Sequence, residues 1–387
     1  MSSYADLLKT PGVARLIAAQ LTGRFPSGML SLAFLLHIQL VLGSYGAAGL
    51  VLAATSLGQA LAGPLTSRWM GVWGMRRVLT LTLVVCAASI LSIALIEMTL
   101  PFYMLAGLIC GLSTPPIQPA VRTIYPKMVN AQQLTPLFAL DASAQELIWV
   151  AGPVITTFLA IQISTVLAIL AAVVFLLIGG IWFITSPEVG RVRIPRSVAS
   201  LGTVLGHPPV LLSTLTGFLL IGACAATEAG VLATFGRTGP QAGILLSIWA
   251  IGSFAGGLAL GHQKIGPWTL ARRMFAVFAG MALAMFGLNF FWLGITLLIA
   301  GAGIAPALAV LFAIVSSSVT FGDTAEAYGW LGTGQLMGAA LGSAAAGFLI
   351  DFHGAVGAFW AAASFALVGF LFPALFRRWH PDLPATE

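Results

Sequence analysis

The chain has 387 residues, of which 59% are hydrophobic and 7% charged, with 17 basic and 11 acidic side chains and a net charge of +6. A soluble domain carries about 25% charged residues, so this composition excludes a soluble globular protein and a disordered one. A mean hydropathy of +1.01 points to a polytopic membrane protein, and the positive charge reads as topology, not as a footprint for nucleic acid.

Residues Met1 to Pro11 are short and polar, with Asp6 and Lys9, and lack a signal-peptide pattern. Beyond them, apolar stretches long enough to cross a bilayer recur twelve times. They fall at 16–41, 46–66, 78–96, 101–121, 136–162, 164–185, 209–235, 239–261, 273–289, 290–316, 325–350 and 355–376. Spans 9 and 10 nearly touch at Asn289. The first span carries Arg24 followed by Pro26 and Gly28, where the helix can bend, and the fourth is interrupted at Thr114-Pro115-Pro116. Cys86, Cys110 and Cys224 lie inside apolar stretches without metal-ligand spacing.

An even number of spans puts both termini on one side. With the N-terminus inside, Lys9, Arg15, Arg68, Arg76, Arg77, Arg122, Lys127, Arg191, Arg193, Arg196, Lys264, Arg272, Arg273, Arg377 and Arg378 all face the cytoplasm. Only Arg237, in an outside loop, and Arg24, inside span 1, stand apart, which is the charge bias of a correctly counted topology. The expected location is the plasma membrane, multi-pass, with both termini cytoplasmic.

The polar stretch after span 6 divides the chain into a six-span half at 1–185, a cytoplasmic linker at 186–208 and a second half at 209–387. At one offset of 194 residues, Leu21, Thr22, Gly23 and Gly28 match Leu215, Thr216, Gly217 and Gly222. Ala48, Gly49, Leu52, Gly58 and Gly63 match Ala242, Gly243, Leu246, Gly252 and Gly257, and Ala106 and Gly107 match Ala300 and Gly301. Two six-helix units inserted with the same orientation make a parallel repeat. Glycines at helix seams allow backbones to approach closely where lipid offers no hydrophobic drive.

Over essentially its whole length the sequence resembles the major facilitator superfamily, most closely its drug-efflux-type members. The resemblance implies an all-α membrane fold of twelve transmembrane helices in two parallel six-helix halves. The family's loop motif after span 2 is matched by Gly74, Arg76 and Arg77, while Gly71 and Val72 occupy its Asp-Arg positions. In the family that Asp latches the cytoplasmic gate toward helix 11, so the latch here is expected to be made differently or weakly. Gly152-Pro153 in span 5 resembles the end of the antiporter motif, whose upstream glycines are missing between Glu146 and Ala151.

An ionisable side chain at mid-membrane is costly and marks a functional position. Arg24 lies about 13 Å up span 1 from Arg15 and Glu146 about 15 Å into span 5, and the two are expected to pair at the central site. Arg24 would hold an anionic solute or a carboxylate; Glu146 would either carry a proton or staple helices 1 and 5. Gln335 in span 11 is a loose counterpart of Glu146. Glu228 in span 7 is expected as a second titrating site or part of an external gate with Arg237. Asp141, Glu326 and Asp323 face the basic groups Arg68, Arg76, Arg77 and Arg122 as rim charges suited to latch the cytoplasmic gate, with Gly63 at the seam. His37 reads as interfacial.

No H-E-x-x-H, P-loop or G-x-S-x-G pattern is present, so the expectation is a transporter driven by a gradient, not an enzyme. It requires no cofactor and no metal. Its partners would be a small-molecule substrate, protons and the lipid bilayer, with no nucleic acid, and it would work as a monomer. Proton-coupled efflux of a small organic solute is the leading expectation. The alternatives are an uptake symporter or facilitator for a small metabolite, an anion among the candidates, and a non-transporting sensor or subunit with the same fold.

Overall fold

The computed structural model describes residues 4–195, 200–235, 241–261 and 263–381. Among them there is no strand. Eleven helices are long and apolar enough to cross a membrane, and a twelfth, Thr269–Ala284, has 16 residues. In chain order these are α1 (Val13–Leu42), α2 (Tyr45–Trp73), α3 (Met75–Leu95), α4 (Leu100–Lys127), α5 (Ala131–Gln162), α6 (Thr165–Thr185), α7 (Pro208–Phe235), α8 (Gln241–Leu260), α9 (Thr269–Ala284), α10 (Phe290–Ser318), α11 (Thr324–His353) and α12 (Ala355–Leu375). Short helical turns at Tyr4–Lys9 and Pro187–Arg191 lie outside them.

Local chemistry sets the boundaries. Ser44, Asn130, Ser164 and Asn289 each accept a backbone N–H three residues on, capping α2, α5, α6 and α10. Asn289 thus begins α10, and α9 ends at Ala284, not at 289 as the hydropathy implied. Pro26 turns α1 through a 3-10 segment, Phe25–Gly28, between Val13–Arg24 and Leu30–Leu42. Pro115 and Pro116 split α4 into Leu100–Leu112 and Ile117–Ile124, as expected. Gly74 joins α2 to α3 at φ +88, a conformation that other residues rarely adopt.

The repeat is visible in the packing. Gly107 of α4 lies against Val51 and Thr55 of α2, and its equivalent Gly301 of α10 lies against Trp249 and Ser253 of α8. Gly28 of α1 meets the Ile148 backbone of α5, and Gly222 of α7 meets Gly338 of α11. Gly63 and Gly257 both face the other set, at Thr333 and Ser143 respectively. Each six-helix set therefore closes through the same glycine contacts, with one glycine left for the seam. α10 is apolar on all sides and the most buried span, the pattern of a helix enclosed by others.

Candidate functional site

The end of the bundle where Arg68, Arg76, Arg77 and Lys127 lie is referred to as the basic end. Between it and the middle of the bundle, α1, α4 and α5 enclose a polar network centred on Asp141, which is 0% exposed. Gln20 Nε2 donates to Asp141 Oδ1 at 3.0 Å, the Tyr125 hydroxyl to the same oxygen at 3.1 Å, and Arg122 Nε to Oδ2 at 3.3 Å. Arg24 donates to Gln20 Oε1 at 2.8 Å and to Gln145 Oε1, which also accepts from Arg122 at 3.5 Å. The i, i+4 spacing of Gln20 and Arg24 on α1 and of Asp141 and Gln145 on α5 places each pair on one helix face. The helix restart after Pro116 turns Arg122 inward.

This arrangement corrects two expectations. Arg24 does not pair with Glu146: the neighbouring Gln145 receives its guanidinium, because consecutive residues on a helix point about 100° apart. Glu146 points away from α1 and accepts from Ser253 Oγ of α8 at 2.8 Å, and Ser253 in turn accepts from the Ala305 N–H of α10. Asp141 is not a rim charge either. It is the buried counter-ion of Arg122, and two guanidiniums surround one carboxylate, so the cluster keeps one net positive charge.

The two six-helix sets meet from the level of Glu146 down to the basic end. Ser143 Oγ donates to the Phe254 carbonyl at 3.4 Å and Thr333 Oγ1 to that of Ala60 at 2.8 Å. Arg122 stacks over the Phe312 ring of α10 at 3.3 Å, and Phe138 of α5 packs edge-on against Phe312 and Tyr328. Lys127 sits 4.4 Å over Phe321. Arg68 of α2 binds Glu326 of α11 at 3.3 Å, with Glu326 2% exposed. Where the family's motif has its Asp, this chain instead joins α2 to α11 through the Arg68–Glu326 pair, beside an aromatic box. Phe138, Phe312 and Tyr328 escape a reading of the sequence because nothing in an apolar run separates an aromatic at the seam from one in a half's core.

The remaining candidates divide by position. Arg76 caps the end of α6, donating to the Ile184 and Ser186 carbonyls at 3.1 and 3.3 Å, within its own half; Arg77 is exposed. Asp323 accepts from Thr320 in the turn before α11. Gly152, beside Pro153, packs on the Gly28 backbone and fixes the crossing of α1 and α5. Gln335 lies against Gly217, its Nε2 buried without an acceptor among the described residues. Glu228 is exposed on α7, with no ion pair among the described residues; Arg237 lies outside them, as does Arg196. His37 is buried at the other end of the bundle, bonded to Thr165 and the Ile93 carbonyl.

A repeated six-helix bundle with its charged groups gathered inside and its two sets sealed at one end is the architecture of a membrane transporter. The family model of the Major Facilitator Superfamily matches residues 16–319, and the chain belongs to that superfamily. Comparison of the sequence with curated proteins gives no significant match. The fold is similar to that of the human organic anion transporter MFSD10 (TETRAN), at TM-score 0.72 and 18% identity over 94% of this chain and 100% of that one. It is also similar to a bacterial homologue of the iron transporter ferroportin in its outward-facing state, at TM-score 0.76 and 13% identity over 95% and 98% of the two chains. A single-residue variant of the E. coli fucose:proton symporter FucP matches at TM-score 0.73 and 14% identity, over 94% and 98%.

Proposed function

We propose that this transporter works by alternating access, the half at 1–185 rocking against that at 209–387 about the linker at 186–208, in the plasma membrane with both termini cytoplasmic. On this reading the basic end is cytoplasmic, and a structure sealed there is the outward-open state. The transport is proton-coupled export of a small organic solute, and Glu146 carries the proton. The observation behind this is the hydrogen bond from Ser253 to Glu146, a carboxylate near the middle of α5 whose partner belongs to the other half. For the halves to part at this level the bond must break. Protonation removes the charge that makes it strong and lowers the cost of leaving the carboxyl in a dry interface.

The test is pH-dye fluorescence in proteoliposomes challenged with lipophilic cations, anions and neutral metabolites, for wild type and Glu146→Gln. Solute-driven pH change in wild type and none in the variant supports the proposal, and its sign separates antiport from symport. Flux without pH change in either protein refutes proton coupling and leaves a facilitator; no flux across the panel favours a non-transporting role. A second reading, uptake of an anionic metabolite, draws on the net positive charge of the Arg24, Arg122 and Asp141 cluster. The same panel distinguishes it through anion-driven symport.

A further inference from the structure

Glu326 holds more than the gate. While its Oε2 binds Arg68 of α2 at 3.3 Å, its Oε1 accepts the backbone N–H of Gly202 at 2.8 Å and Trp330 Nε1 at 3.4 Å. Gly202 belongs to the segment that connects the two halves. It adopts φ +85, and a Cβ built on it meets only Trp330, at 3.7 Å, so backbone conformation and not crowding selects glycine there. The turn Thr203–Gly206 follows, and Ser200 Oγ and Thr203 Oγ1, 2.8 Å apart, hold the bend that leads into it. Val204 is buried in the same apolar cluster as Ile194, Ala325 and Tyr328. Upstream, the Pro195 carbonyl lies against Gly322 just before α11.

We propose that residues 200–206 form a strap, docked on α11 through Glu326 while the basic end is closed and released as it opens, so that the connection between the halves itself holds the gate shut. This rests on the alternating-access reading above. One nearly dry carboxylate receives the strap on one oxygen and the gate arginine on the other. In low dielectric a charge-assisted N–H···O⁻ bond is strong; once Arg68 withdraws and water reaches Glu326, water competes for the same oxygen and the bond weakens. Docking therefore has different strengths in the two states, and by reciprocity a docked strap favours the closed one.

Two readouts on the full chain in lipid nanodiscs test this, one for each element: hydrogen exchange of the peptide spanning 200–206, and the distance between spin labels at Arg77 and Arg272. Labelling uses a background with Cys86, Cys110 and Cys224 replaced by alanine. Arg68→Gln changes no residue of the strap itself yet should lengthen the distance and speed exchange at 200–206 by about tenfold. Gly202→Ala strains a left-handed backbone position and should raise the open-to-closed ratio by about five- to thirtyfold without altering either half. Trp330→Phe, which keeps the fold and removes one donor to Glu326, should move both readouts in the same direction by less. If each substitution moves only its own element, the strap is refuted while alternating access stands. A basic end that stays closed in every variant, even with solute and a proton gradient, overturns both.

Discussion

Gly329 of α11 lies on Gly63 of α2 so closely that a Cβ added to it would sit 2.6 Å from the Gly63 carbonyl oxygen and 2.9 Å from the Gly63 carbonyl carbon and Pro64 Cα. All three are backbone atoms, so no side-chain rotation relieves the clash. An ordinary carbon–oxygen contact is about 3.4 Å, so Gly329→Ala must move the two helices apart by about 0.8 Å at the Arg68–Glu326 level. Overpacking of this kind costs about 1–3 kcal/mol, and the cost falls on the closed state alone because the contact exists only while the sets touch. The open fraction at the basic end should rise by roughly 5- to 150-fold. Gly63→Ala is the milder partner: its Cβ would meet Thr333 Oγ1 at 2.9 Å, the end of a side chain, and the Gly329 oxygen at 3.1 Å. Ser67, 1% exposed and one turn beyond Gly63, supplies the assay as Ser67→Cys in a background without other cysteines. Its maleimide labelling rate should rank Gly329→Ala above Gly63→Ala above the parent. Equal rates in all three, or the reverse order of the two alanines, would refute a seam closed by backbone contact.

Further substitutions probe what holds the helices of a half together. Asp141→Ala leaves Arg122 and Arg24 without their counter-ion and should lower stability by about 3–5 kcal/mol, whereas Arg122→Ala, which leaves Arg24 to balance Asp141, should cost less; thermal melting followed by size-exclusion chromatography ranks them. Gly28→Ala places a Cβ on the Ile148 carbonyl and should lower the melting temperature, while Gly49→Ala and Gly347→Ala, which meet nothing within 4 Å, should leave it unchanged or raise it.

The twelve spans, the break in α4 and the bend in α1 are legible in the sequence because length, hydropathy and proline act locally. The repeat is legible through its glycines, since Gly107 and Gly301 mark the same contact in each half. The pairing of Arg24 is not. Gln145 and Glu146 are consecutive, both are polar, and only the rotation of α5 about its axis decides which one meets α1. Charge complementarity favours the glutamate, and helix geometry gives the position to the amide. The gate is half legible: Arg68 and Glu326 stand out by charge, while Phe138, Phe312 and Tyr328 carry no mark in a chain with 24 phenylalanines and 5 tyrosines.

The rotation of α5 also explains how a single helix serves two purposes. On one face Asp141 and Gln145 tie it to α1 and α4 through buried, charged hydrogen bonds, contacts that are expensive to break and that make α5 move as part of its own half. On the other face Ser143 and Glu146 touch α8 through single hydrogen bonds. The remaining contacts across the seam include a cation–π stack worth about 0.5–2 kcal/mol, aromatic edges of about 0.5–1.5 kcal/mol each, and an ion pair whose arginine keeps 24% exposure, so that water can replace its partner. Reversing a two-state equilibrium requires about 5.5 kcal/mol of differential binding, which under the proposed cycle a solute and a proton would supply. Asp141 takes part in both sets of contacts, because the guanidinium it holds is the one that stacks on Phe312. A strong bond inside one half thereby aims the weaker bond that the proposed cycle would have to break.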